Sequence, residues 1–448
     1  VANQFLNNQV YSNTFMLLLK NEMAYGKLVD GQFSDQVTNE NGLTINVKRP
    51  PRFVDKKDGT ANLALQDIVT GTSPVTADQY SKVHISVGDI EYVQSFNELL
   101  KNASMKAAAA RMAQTIDSYI AGKTLLFNSW VAGGSPATGS ANATDPTKAI
   151  SSFSQAMGAH TRLMSQGTPN ADLCGVLNFD DGERIRGSLA AAFLPPNANM
   201  TALERARLPV LSEVDWYASQ NTPSITTGTR IQGDGSTTGF QIQTANQNVS
   251  YRNVKGAPAS AGMTQTLNLA GASQAGLTVN QGEVFTIQNV FSWDWRAQQK
   301  NNYLQQFTIV SGGSGQTAAA GTGQLTVTIS PAIIVQGTTD GVSTDTNTAF
   351  ATVDSVPALN AFVQFVGAPS VTTRVKAAWH KRAISLVSAR LFKPFTGESS
   401  YAVDPETGIA IRYWRMSDVT TGNHVHRWDC LFGATVLDSY LGTRVAGS

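Results

Sequence analysis

The run FNELLKNASMKAAAARMAQTIDSYIAGKTLLF, residues 96–127, places apolar side chains at Phe96, Leu99/Leu100, Ala103, Ala107, Ala110, Ala113, Ile116, Ile120 and Phe127. That is one stripe at helical spacing. Lys101, Ser104, Arg111, Thr115 and Ser118 fall on the other face. Ser95-Phe96-Asn97-Glu98 opens the run with the S-x-x-E spacing of a capping box. A helix over all 32 residues spans roughly 48 Å at 1.5 Å per residue. It exceeds the usual three turns several-fold. The small side chains of Ala107–Ala110 let another backbone approach. The spacing predicts a structural helix with a sheet laid against it.

Upstream, residues 42–92 read as a long two-stranded β excursion. Leu43, Ile45 and Val47 alternate with Thr44, Asn46 and Lys48, and Val83, Ile85 and Val87 alternate with Lys82, His84 and Ser86. Period-two alternation marks half-buried strands. Pro50-Pro51 donate no ladder hydrogen bonds and so guard an edge or bend the strand. Lys56-Lys57-Asp58-Gly59 form a charged tip. A compact domain rarely keeps so long a connection without a use for it. Residues 1–35 hold Phe15, Leu18, Leu19 and Met23 at helical spacing. Two readings stand for this segment: a helix packed on its own domain, or an arm packed on a neighbour.

Downstream, residues 131–148 are a turn-rich loop, and 149–221 read as mixed α/β. A helix there is capped by Asp180 or Asp181 and ends before Pro195-Pro196. Composition shifts at about 222. From Thr222 to Asp345 there are five basic and five acidic residues in 124. Short β-type runs recur: Ile225–Ile231, Gly239–Thr244, Thr264–Leu269, Leu277–Val290, Gln305–Val310 and Gln324–Ile329. Turn clusters separate them, which indicates a small inserted β-barrel or sandwich. Beyond 345, a helix around Pro357 and strands at Ala383–Leu391, Gly408–Trp414 and Arg427–Leu437 are expected.

The whole chain has 448 residues, 33 Lys+Arg against 32 Asp+Glu, and 15% charged residues, where about 25% is usual. The +1 net charge leaves no overall basic footprint for nucleic acid. Apolar runs such as Phe15–Leu19 are far short of a membrane span. No secretory signal is expected, and Cys174 and Cys430 suit a reducing compartment. A low-charge surface rich in Gly, Ser, Thr, Asn and Gln suits a protein largely covered by neighbours, because charges are costly to desolvate.

No motif assembles chemistry. Gly122-Lys123-Thr124 has the tail of a phosphate loop, but Asp117 stands where its first glycine belongs. Gly233-Asp-Gly235-Ser-Thr-Thr-Gly239 misses the dinucleotide spacing by one residue and reads as a turn. His424-x-His426, with Asp429 and Cys430 nearby, makes a zinc site on paper, yet surface strand histidines are the simpler reading. Asp180, Asp181 and Glu183 are best read as a helix start. No serine sits in a nucleophile elbow. The expectation is no catalytic residue, no cofactor and no metal.

The order of these segments resembles the major capsid protein of short-tailed, podovirus-type bacteriophages. NGLTINVKRPPRF (41–53) is similar to the ascending strand of that family's extended loop, and residues 96–127 to its spine helix. LPVL (208–211) stands just before the insertion, as in the family. KAAWHKRAISLVSARL (376–391) and RYWRMSDVTTGNHVHRWDCLFGATVLDSYLG (412–442) are similar to its later strands. The resemblance implies an α+β chain with the Hong Kong phage capsid fold. Its parts are an N-terminal arm (1–35), an extended loop (36–92), a spine helix (93–130), a first axial segment (131–221), an inserted telokin-like or Ig-like β-barrel (222–345), and C-terminal axial and peripheral sheets (346–448).

It also implies assembly without catalysis. Copies join as hexamers and pentamers in an icosahedral shell, built in the host cytoplasm and present in the virion. A scaffolding protein guides a precursor shell, which expands as double-stranded DNA enters past a portal. A decoration protein is an optional further partner, DNA is enclosed without sequence-specific binding, and no membrane is involved. Arg49, Arg52, Lys56, Lys57 and Asp58 are the candidate intersubunit contacts. The alternatives are an encapsulin-like nanocompartment shell protein and a β-rich adhesin or tail protein.

Overall fold

The computed structural model describes residues 7–37, 42–55, 65–88, 103–132, 150, 153–191, 213–233, 238–245, 247–255, 263–310, 316–418, 420 and 422–446. Ser95–Glu98, Lys56–Gly59, LPVL 208–211 and Gly312–Gly315 lie outside them. The chain divides into two compact units. The first comprises residues 1–46, 74–123 and 384–435; the second comprises 47–73, 124–383 and 436–448.

In the first unit, the long helix is described over Ala103–Lys123. Its buried stripe is Met105, Ala108, Ala109, Met112, Ala113, Ile116 and Ile120, while Ala107 is exposed and Ala110 half-buried. The buried face is rotated from the expected stripe. Alanine suits either side of a helix, and the large apolar pair Met105 and Met112, seven apart, decides which side is inward. The N-terminal helix Asn7–Glu22 buries Tyr11, Phe15 and Leu19 at i, i+4, i+8. Phe15 stacks on Trp428 at 4.8 Å between ring centres, and Tyr11 on Tyr413 at 5.5 Å. This helix therefore packs on its own chain, the first of the two readings.

Trp428 and Tyr413 belong to a sheet of Ile384–Ala389, Asn423–Val436, Ala410–Asp418 and Glu398–Val403, with Gln79–Gly88 added along Asn423–Val436. Val83 faces Trp428 and Ile85 faces His426. Here the expectation of a paired excursion is corrected. Thr44–Lys48 pairs with Thr72–Thr76, while Gln79–Gly88 leaves the excursion and joins the C-terminal sheet. Alternation specifies a strand and its faces, not its partner.

The second unit holds a five-stranded sheet in the order Trp130–Ala132, Gly442–Ala446, Lys376–His380, Leu173–Leu177, Asp215–Ala218. The helix Phe153–Ser165 packs Ala156, Ala159 and Leu163 with Leu173, Leu177, Trp216, Ala378 and Val445. The same unit contains a six-stranded sheet ordered Val363–Phe365, Val284–Asp294, Gln299–Ile309, Leu325–Ser330, Gln265–Ala270, Gln241–Ile242. Its two outer strands meet: Ile242 donates to Ala361 O at 3.0 Å and Val363 to Phe240 O at 2.7 Å. The sheet thus closes into a barrel around Phe285, Phe307, Phe365, Leu267, Leu269, Ile287 and Val327. The closing strand lies past Asp345. Residues 350–362 are not helical, contrary to the expected helix around Pro357; Phe350–Phe365 instead ends in that strand. Ser224–Thr226 pairs with Thr372–Arg374 outside the barrel.

Candidate assembly site

The excursion leaves the strand pair, where Arg49 N donates to Gly71 O at 2.8 Å and the Thr44 and Thr76 hydroxyls meet at 3.0 Å. Pro50 and Pro51 follow, and they end the ladder because neither has an N–H. Beyond them, large apolar side chains face outward: Phe53 is 54% exposed, Leu65 92% and Ile68 72%. These three apolar side chains of one segment are left in contact with water. In the first unit, Phe392 and Phe395 make a second exposed pair, 5.3 Å between ring centres. The sequence reading passed over Leu65, Ile68, Phe392 and Phe395. Apolar residues inside non-periodic turn sequence (LALQDI and LFKPF) were the available signal.

Of the five candidate contact residues, two are described. Arg49 Nη2 donates to Ser73 Oγ at 3.2 Å and Leu437 O at 3.1 Å. Arg52 lies 4.2 Å from the Trp295 ring centre and 3.9 Å from Asp438. Burial pushes the Arg52 guanidinium below its usual range, against the pull of Asp438. Both arginines anchor the base of the excursion within their own chain. Lys56, Lys57 and Asp58 lie outside the described residues.

The residues weighed for chemistry are engaged structurally. Asp429 is a fully buried carboxylate held by Arg412 at 2.5 Å and Arg427 at 2.6 Å. It sits on the strand face opposite His424 and His426. His426 Nδ1 meets the Tyr413 hydroxyl at 2.6 Å, and burial lowers its pKa to about 4. His424 meets Ser417 Oγ at 2.7 Å. Cys174 and Cys430 are buried thiols, and burial pushes Cys430 up to about 12. Asp181 accepts from Ile150 N at 2.9 Å and lies 3.4 Å from Lys376. Gly122-Lys123 ends the long helix, so no loop cradles phosphate there. Among the described residues, no three His, Cys, Asp or Glu converge as a metal would need, and no helix is long and apolar enough to cross a membrane.

A closed barrel, a long helix on a sheet, and an outward apolar excursion make a protein built of surfaces. In sequence, residues 6–447 match the family described as P22 coat protein, gene protein 5. The chain belongs to the P22 coat protein family. It is a phage major capsid protein, a structural subunit of the head shell and so part of the virion. No curated protein matches the coat chain. Among solved structures, it is similar to one from Mycobacterium phage Che8: 11% identity, 94% of this chain and 90% of that one, TM-score 0.43. The mature capsid of bacteriophage PhiM1 gives 10% identity, 92% and 84% coverage, and TM-score 0.39. The CUS-3 coat protein I-domain gives 25% identity over 30% of this chain and all of that one, TM-score 0.21. The family match carries the assignment.

Proposed function

We propose that this coat protein works by tiling alone, without catalysis. Hexamers and pentamers close an icosahedral shell in the bacterial cytoplasm, guided by a scaffolding protein and built around a portal. The precursor expands as double-stranded DNA fills it, and a decoration protein is an optional addition. The near-neutral charge supports enclosure without tight DNA binding, since neutralising many phosphates would release counterions and hold the DNA to the wall.

The observation that carries this reading is the outward apolar set Phe53, Leu65 and Ile68. In the assembled shell the excursion lies across an adjacent copy, burying these residues and bringing Lys56, Lys57 and Asp58 into intersubunit contact. The insertion, together with its closing strand Val363–Phe365, folds as an autonomous module. The test is electron microscopy of the purified chain expressed with and without scaffold. Closed shells are expected, and deletion of Lys56–Gly59 should abolish them while leaving the monomer's circular dichroism intact. Normal shells from the deletion variant would overturn the role given to the excursion; soluble single copies under every condition would overturn tiling.

A further inference from the structure

The excursion's residues 47–73 and the insertion share one compact unit, and the contacts between them converge. Val54 and Val69 pack with Tyr251, Met263, Ile334 and Phe350. Arg252 reaches Asp67 with Nη2 at 2.9 Å and holds Asp340 with Nε at 2.5 Å. Thr72 donates its backbone N–H to Lys255 O at 3.0 Å. Gly71 lies so close that a Cβ there would fall 1.9 Å from Lys255 O. On the ascending arm, Arg52 stacks on Trp295, in the turn between Val284–Asp294 and Gln299–Ile309.

We propose that the 251–255 turn and Trp295 clamp the excursion and set its direction, with Gly71, Arg252 and Trp295 acting as positioning residues for assembly. This rests on the reading that the excursion reaches an adjacent copy. A two-stranded ribbon is marginal by itself in water, so Thr44–Lys48 and Thr72–Thr76 need outside support to hold one pose. The clamp grips both arms by different means. The descending arm is held by a backbone approach that only glycine permits and by a bridging guanidinium; the ascending arm is held by a cation stacked on an indole. Rotation about the strand pair breaks one grip or the other. The insertion therefore determines where the apolar excursion residues are presented.

Hydrogen exchange on the full-length monomer tests this, using Gly71→Ala and, separately, the double variant Arg252→Gln/Trp295→Leu. Backbone amides of 65–73 should exchange at least about tenfold faster, a loss of local protection, while the barrel strands 284–309 keep their rates. Arg252→Lys should recover part of the protection. Particles formed by either variant should vary in diameter. Unchanged exchange at 65–73 in both variants overturns the clamp. So does equal acceleration of the barrel strands in both, because the residues would then be ordinary core. Exchange is read on monomer, so a parent chain that forms no shells refutes the tiling reading and still leaves the clamp judged.

Discussion

Arg230 donates its Nε proton to Glu283 Oε2 at 2.5 Å, and neither side chain is exposed. The same carboxylate accepts the backbone N–H of Gly228 and, at 3.3 Å, that of Asn280. The guanidinium continues to Val366 O at 3.3 Å and faces the Phe365 ring at 4.3 Å. One ion pair thus joins the chain entering the barrel, at 228–230, to the chain leaving it, at 365–367.

Removing one partner should cost more than removing both. Glu283→Leu strands a buried guanidinium and should destabilise the second unit by about 3–5 kcal/mol. Arg230→Met together with Glu283→Leu should recover most of that loss, since two apolar groups leave no uncompensated charge. A double-mutant cycle on denaturant midpoints reads the difference. Additive effects would show that the pair is not coupled.

Arg444 presents the opposite problem. It is fully buried and donates to Gly282 O at 2.5 Å, Phe127 O at 2.9 Å and Thr308 Oγ1 at 2.9 Å, and burial lowers its pKa to about 9. Three neutral acceptors of the second unit hold this cation, and it staples the barrel residues Gly282 and Thr308 to Phe127. Lysine has one point of charge in place of a planar fork. Arg444→Lys should therefore lose about 2–4 kcal/mol, within the range for broken buried networks. Differential scanning calorimetry would detect it, and an unchanged transition would contradict the stapling role.

The long helix offers a cleaner contrast. Ala110→Pro removes an interior hydrogen bond and clashes with the preceding turn, at about 3 kcal/mol or more. Lys106→Ala, on the exposed face, should stay within roughly 0.5 kcal/mol. Thermal melts of the monomer and shell yield by sedimentation should separate the two variants. Equal shell yields would argue against the helix as the structural axis of the first unit.

Much of this was legible because periodicity survives wherever a single face is buried. Ala113, Ile116 and Ile120, Val83 through Val87 and the longer barrel strands announce themselves in this way, whereas the alanine-rich start of the long helix hid the inward side of Met105 and Met112. Three things were not legible. Strand partners depend on distant chain, so nothing in Val83, Ile85 and Val87 names Trp428 as the facing residue. The three-residue strand Val363–Phe365 is too short to show a period, and only its hydrogen bonds with residues 240–242 reveal that it closes the barrel. The fixed base of the excursion depends on Gly71 and Trp295, whose roles appear only when backbone and ring are seen in contact.

The first unit contains two buried titrations of opposite sign. Asp117, on the long helix, accepts the N–H groups of Ala24 at 2.7 Å, Gly26 at 3.0 Å and Tyr25, with Lys27 as its charged neighbour. Burial outweighs these bonds and raises its pKa to about 6 from 3.8. The folded state then holds the proton more tightly than the unfolded chain. Its stabilising contribution is present below about pH 4 and is lost as pH rises through about 6. His426 is held down to about 4 from 6.5, first by burial and then by the charges of Arg415 and His424. Its contribution is present above 6.5 and is lost as pH falls toward 4. Each is worth on the order of 3 kcal/mol at about 1.4 kcal/mol per pH unit of pKa difference, so between pH 6.5 and 4 they offset one another. The parent's stability should therefore vary little across that window on account of these two groups. Asp117→Asn should expose the histidine and make stability fall on acidification. His426→Gln should expose the aspartate and make it rise. Urea midpoints at pH 7, 6 and 5 measure both slopes, and slopes of the same sign in the two variants would refute the pairing.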